Sequence, residues 1–409
     1  VTYHFWRVDS RKGSDCRNHS AKHVAQLLGN ALFARYWPHT QNFHVGPAIN
    51  NTQNAEDNNH NRHCLPLHND PCATVGALTN LSSLAAKRGL YGEARAHGVE
   101  ALQLARQMGT PRAIATQLTN MGAFDFHLGN YNSAEKFLQQ ALELADQHDY
   151  GDVVVFARAN LGEIYTHFGQ YKEATFYLEA GLSLARQSQH RRAEGNLLDL
   201  LGAVALAQGN WEASESCFVQ SLQIARELKY QERLGSVLVR QGILRGRSGG
   251  SRAQAIAQIE EGMTIAQAGG NRETLITARL GLAELYEIDS KDDLSDQIEM
   301  HLNAALTLAR EISGGIFLMR ALINWGEWQR TRAMLADAQA ILEEAFTLAE
   351  KTGCRAEAAL TRFGLARLAL EENSREVAQS MGEESHKVLQ AIGHYRAAEV
   401  EAWLSSSNR

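Results

Sequence analysis

One segment recurs at a fixed interval of 40 residues. It reads MGAFDFHLGNYNSAEKFLQQALELADQ from Met121 to Gln147 and LGEIYTHFGQYKEATFYLEAGLSLARQ from Leu161 to Gln187. From Leu201 to Glu227 it reads LGAVALAQGNWEASESCFVQSLQIARE. A chain built this way does not fold around one compact core. Each copy is a small unit that buries its apolar face only against its neighbours.

Two anchors follow the repeat. A small residue opens the last turns of each copy: Ala101, Ala141, Gly181, Ser221, Gly262, Ala305, Ala345 and Ser385. Their spacings are 40, 40, 40, 41, 43, 40 and 40 residues. The other small residue stands earlier in each copy, at Ser82, Gly122, Gly162, Gly202, Gly242, Ala283, Gly326 and Gly364. Glycine inside a helix is unfavourable by roughly 0.5–1 kcal/mol relative to alanine. Its recurrence therefore implies a close helix crossing at that place. Between the anchors stand the turns GNY, GQY and GNW. There Gly129, Gly169 and Gly209 end one helix in a left-handed conformation, and Tyr131, Tyr171 and Trp211 open the next.

The chain changes character near residue 75. Pro38, Pro47, Pro66 and Pro71 precede that point, and only Pro111 follows it. Residues 1–75 are rich in Asn and His and lack apolar periodicity, so a mostly irregular leader is expected. One short helix is expected there, at about 20–37, where Val24, Leu27, Leu28, Ala31, Leu32 and Tyr36 recur at helical spacing. From 76 onward Ala, Leu, Glu, Gln and Arg predominate, all good helix formers. An all-α array is expected over 76–393, with a capping helix and tail over 394–409.

Apolar residues make up 44% of the chain, yet no run approaches the ~18 residues of a membrane span. The opening VTYHFWRVDSRKG lacks the apolar core of a secretory signal. It starts with Val, which suggests a fragment or processed product. A net charge of −6 disfavours nucleic-acid binding. The five cysteines show no paired framework, which suits a reduced, cytoplasmic setting.

These residues carry a family resemblance. Leu161, Gly162, Tyr165, Gly169, Tyr171, Ala174, Leu178 and Gly181 resemble the tetratricopeptide repeat nearly position by position. The period near 40 is similar to the long-helix variant in kinesin-light-chain-like and MalT-like proteins. The resemblance implies a right-handed superhelical solenoid of about eight helix-turn-helix repeats. It also implies a non-enzymatic role in which a concave groove binds a protein or peptide, in the sensor region of a bacterial signalling or transcription-regulating protein. The alternative is a small-molecule effector sensor of a MalT-like signal-transduction ATPase.

In such an array the residue two before the first-helix anchor points into the groove. Here that residue is Asn80, Asn120, Asn160, Leu200, Arg240, Gly281, Asn324 or Arg362. An Asn amide both donates and accepts, so a row of them suits a peptide backbone. The same residues could instead bond neighbouring helices and serve stacking alone. Glu163 and His167 face the same groove, with His127 one repeat earlier. Arg240, Arg245, Arg247 and Arg252 surround the turn GRSGGSR, either as a solvated turn or as an anion site. HNRHCLPLHNDPC holds His60, His63, Cys64, His68 and Cys72 but has no CxxC pair, so no metal is expected. No cofactor is expected, and the oligomeric state is left open.

Overall fold

A computed structural model describes residues 71–287, 294–312 and 315–407. The expected leader helix and the His-rich segment before Pro71 lie outside them. Among the described residues there are seventeen helices. The first four pairs are α1 (Pro71–Lys87) with α2 (Tyr91–Gln107), α3 (Pro111–His127) with α4 (Tyr131–Gln147), α5 (Gly151–His167) with α6 (Tyr171–Gln187), and α7 (Arg191–Gln208) with α8 (Trp211–Glu227). The next four are α9 (Gln231–Arg247) with α10 (Arg252–Gly269), α11 (Arg272–Glu287) with α12 (Ser295–Glu311), α13 (Gly315–Thr331) with α14 (Leu335–Thr352), and α15 (Arg355–Glu371) with α16 (Arg375–Ile392). A final helix, α17 (Ala397–Ser407), follows. Odd-numbered helices of the eight pairs are called A helices here, and their partners B helices. No helix among the described residues is long and apolar enough to cross a membrane.

The turns follow from glycine. Gly129 adopts φ 78°, its N–H donates to the Phe126 carbonyl, and that of Asn130 donates to Asp125 (2.8 Å). These bonds satisfy the carbonyls left over at the end of α3. Tyr131 then opens α4 and is buried between the pair.

Both anchors lie where the two helices of a pair cross. A Cβ on Gly122 would stand 2.5 Å from Leu138 Cγ and 3.1 Å from the Ala134 carbonyl. At the other end of the hairpin, Ser221 Oγ donates to the Gly195 carbonyl (2.7 Å) and Ser385 Oγ to that of Ala359 (2.7 Å). The second of these bonds corrects the register of the last repeat. Counted from the start of its A helix, the buried Ala366, not Gly364, takes the place that Gly122 takes in α3.

The superhelix closes on itself. A Cβ on Gly129 would meet Gly315, one on Gly169 would meet Ile392, and one on Gly209 would meet Tyr395. The Tyr395 N–H donates to the Ala207 carbonyl (3.0 Å), and Tyr91 Oη donates to Glu273 (2.8 Å). Tyr91 and Glu273 lie five repeats apart, as do Gly129 and Gly315. Consequently the core is continuous across turns. Tyr171, Leu178 and Leu197 share a cluster with Phe363, Leu389 and Val400. Phe126, Tyr131 and Leu161 share another with Ile276, Ile316 and Cys354. Apolar area buried between turns adds to that buried between neighbouring repeats.

Candidate functional site: the axial groove

The A helices present ionisable side chains toward the superhelix axis, and closure brings opposite walls within electrostatic reach. Asp199 on α7 is fully buried. It accepts from Arg233 and forms an ion pair with Arg240 at 2.9 Å, both on α9. Burial pushes the Asp199 carboxyl up, but Arg240 and Arg233 more than offset this and hold it below its ordinary value. Glu273 on α11 receives the Tyr91 hydroxyl at 2.8 Å and stands 3.0 Å from His127 Nδ1 on α3. Arg320 on α13 pairs with Glu357 on α15 at 3.0 Å. Arg247 makes two bonds of 2.7 Å to Glu284. Further along, Glu327 holds Arg330 (3.1 Å) and Arg367 (2.7 Å), and Arg396 binds Glu399.

Glu163 on α5 is buried and lies in the field of several of these charges. Burial raises its carboxyl, with His127 and then Arg240 opposing, and Glu273 adding to the rise. His127 belongs to the preceding repeat, and Arg240 and Glu273 to repeats five and six, so the charges acting on Glu163 come from outside its own hairpin. One turn further along, half-buried His167 has its imidazole held well below its usual value. Burial is the chief cause, followed by Arg320 and Arg240.

The eight residues singled out from the sequence divide by place. Asn160, Glu163 and His167 share α5, and Arg240 on α9 acts on the charges of both Glu163 and His167. Asn120 is fully buried on α3, and Asn80 is exposed on α1. Asn160 is 6% exposed, and its Nδ2 has no hydrogen-bond partner. Asn324 donates to the carbonyl of Arg320 in its own helix (2.8 Å). Arg362 lies elsewhere. It reaches Glu384 at 3.3 Å and Glu350 at 4.0 Å, and its guanidinium sits over the Phe346 ring. These partners are on the B helices α16 and α14, so Arg362 does not line the groove. The reason is the two-residue register difference in α15.

The position two before the anchor faces the preceding repeat. Arg240 reaches Asp199 on α7, and a Cβ on Gly281 would meet Ile243 and Ile259. Leu200 is buried in the apolar core. This position therefore packs where adjacent A helices meet. The arginines around GRSGGSR do not form an anion site. Arg245 donates to Gln258 and Arg252 to the Leu285 carbonyl, while Arg240 and Arg247 hold acids. No group of three or more potential metal ligands occurs among the described residues.

Sequence reasoning missed Asp199, Arg233, Glu273, Arg320 and Glu357. Asp199 carried a signal: it interrupts the apolar run NLLDLLGAV, where a charge is retained only with partners. The others look like ordinary surface charges in a helical text.

The fold and this polar axis define a helical-repeat array of the tetratricopeptide class. The family model described as tetratricopeptide repeat matches residues 112–187, and a second of the same description matches 74–108. Residues 74–108 and 112–187 thus match the tetratricopeptide repeat, and the later helix pairs repeat the same hairpin architecture. Among solved structures, a Rap protein complexed with Competence and Sporulation Factor is similar at a TM-score of 0.60 and 14% identity, covering 82% of this chain and 87% of that one. The apo form of the quorum sensor NprR from B. thuringiensis is similar at 0.51 and 16%, covering 78% and 87%. No curated protein matches the sequence.

Proposed function

We propose that this array is a non-catalytic interaction and sensor module that takes a protein or peptide segment into its axial groove. The observation that supports this most directly is Asn160, a buried amide on an A helix whose donor has no partner. Leaving a buried donor unmade costs about 1–3 kcal/mol, and a ligand backbone carbonyl would recover it. Charged and amide groups on opposite walls suit an extended chain with alternating donors and acceptors better than an apolar effector. The folds it resembles include a Rap protein caught with a bound factor and a quorum sensor, which favours a bacterial signalling context.

The test is the double substitution Asn120→Ala plus Asn160→Ala in the full chain. Partner binding, followed by affinity capture and titration calorimetry, is expected to weaken while helicity and melting temperature stay nearly unchanged. Intact affinity would refute the groove assignment. A lower melting temperature with intact affinity would make both Asn purely structural.

A further inference from the structure

We propose that residues 20–37 form the amino-terminal cap of the array and seat their apolar stripe on the outer face of α1. That face is defined by register. In α3, α5, α9 and α11 the seventh, eleventh and fourteenth residues of the helix are all buried. They face the preceding repeat. A Cβ on Gly98 of α2 would stand 2.9 Å from Met121 and 3.0 Å from Phe124, the eleventh and fourteenth residues of α3. Gln117, the seventh, donates to Thr79 Oγ1 on α1 at 2.7 Å. The corresponding residues of α1 are Ala77, Leu81 and Leu84. All three are apolar and only half-buried, and this stripe meets no earlier repeat among the described residues. An apolar end face of this kind is what a terminal cap covers in a stacked array. The opposite end shows how this chain closes such a face. There α17 lays the buried Val400, with Trp403 and Leu404, on the last repeat. A Cβ on Gly382 would stand 2.6 Å from Trp403 and 2.9 Å from Leu404, and the rings of Trp403 and Phe363 are 5.4 Å apart. That stripe reads V-x-x-W-L. The leader reads V-x-x-L-L at Val24, Leu27 and Leu28, and Ala31 and Leu32 extend it by a further turn. Residues 38–70 join this segment to the first residue of α1. At ~3.3 Å per extended residue they reach any point along that 17-residue helix. A tether of this kind holds the segment at roughly millimolar local concentration, which favours it over a free partner or a second copy.

Hydrogen exchange of the full chain, read by mass spectrometry, tests the cap. An isolated helix of this length is marginal in water, so slow exchange at residues 20–37 requires docking. Those amides are expected to be protected in the wild type, and exchange there at the unstructured rate overturns the proposal. The variant Leu28→Asp plus Leu32→Asp changes no residue of the array. It is expected to speed exchange in residues 20–37 and in α1 by about tenfold or more, the effect of freeing a buried leucine on a local opening equilibrium. Exchange in α5 to α8 is expected to stay as it was. Leu81→Gln, on the receiving face, is expected to release residues 20–37 in the same way. Unchanged exchange in α1 for the leader variant, or faster exchange in α5 to α8 instead, overturns the placement. Sedimentation velocity at two protein concentrations distinguishes the other occupant. A dimer whose α1 protection grows with concentration and ignores the leader variant means that a second copy covers the face, which also overturns the proposal.

Discussion

Replacing Asp199 by Asn leaves two guanidiniums facing each other without their shared carboxylate. Arg233 is 1% exposed and the Arg240 side chain 15%, so water does little to screen them. Removing one member of a buried ion pair typically destabilises by about 3–5 kcal/mol, largely because the surviving charge stays buried. The loss expected for Asp199→Asn is therefore about 3–5 kcal/mol, read by urea denaturation of the full chain with circular dichroism. The cause is isolated by a triple variant, Asp199→Leu with Arg233→Met and Arg240→Met. It removes all three charges at similar volume, and such replacements are often neutral or stabilising. The triple is expected to regain most of what the single variant loses. Acid supplies an independent check. The folded Asp199 carboxyl lies below its ordinary value of 3.8. Its contribution is thus fully present above that value and is lost as pH falls through the lower, folded one. The gap between wild type and Asp199→Asn is expected to be constant above about pH 5 and to narrow below pH 4. A single variant within about 1 kcal/mol of wild type, or a triple variant no more stable than the single, would refute the reasoning.

Other consequences are equally direct. Gly122→Ala places a methyl against Leu138 and the Ala134 carbonyl and is expected to destabilise by about 1–3 kcal/mol in urea; no loss would mean that α3 and α4 do not cross as closely as described. Glu273→Ala removes the acceptor shared by Tyr91 and His127, so solution X-ray scattering is expected to show a larger radius of gyration, and an unchanged radius would place closure in the apolar contacts alone. Burial, with Arg396 and Arg247 assisting, pushes the His394 imidazole down to about 3. The unfolded chain takes up that proton and the folded chain does not, so stability is expected to fall as pH drops below 6.5. An NMR titration showing His394 protonated at pH 6 would contradict this.

How much of this was legible without coordinates depends on the distance over which each feature is decided. Gly162 and Gly181 announce a helical hairpin because the contacts they make are local, and a local contact constrains residue type at a fixed spacing. The same rule failed at Gly364. A glycine two residues from the anchor matched the text, but only the Ser385–Ala359 bond shows that Ala366 holds the place. Arg362 was carried out of the groove by the same slip.

The repeat, its period and the all-helical class were determined by the sequence alone, since each rests on interactions between residues fewer than about forty positions apart. Tertiary structure decided that the superhelix closes after five repeats. That depends on small rotations summed over many hairpins, which no single copy encodes. Closure is what joins Tyr91 to Glu273. The identity of the groove residues was thus partly written in the chain. Their pairing across the axis exists only in the folded array.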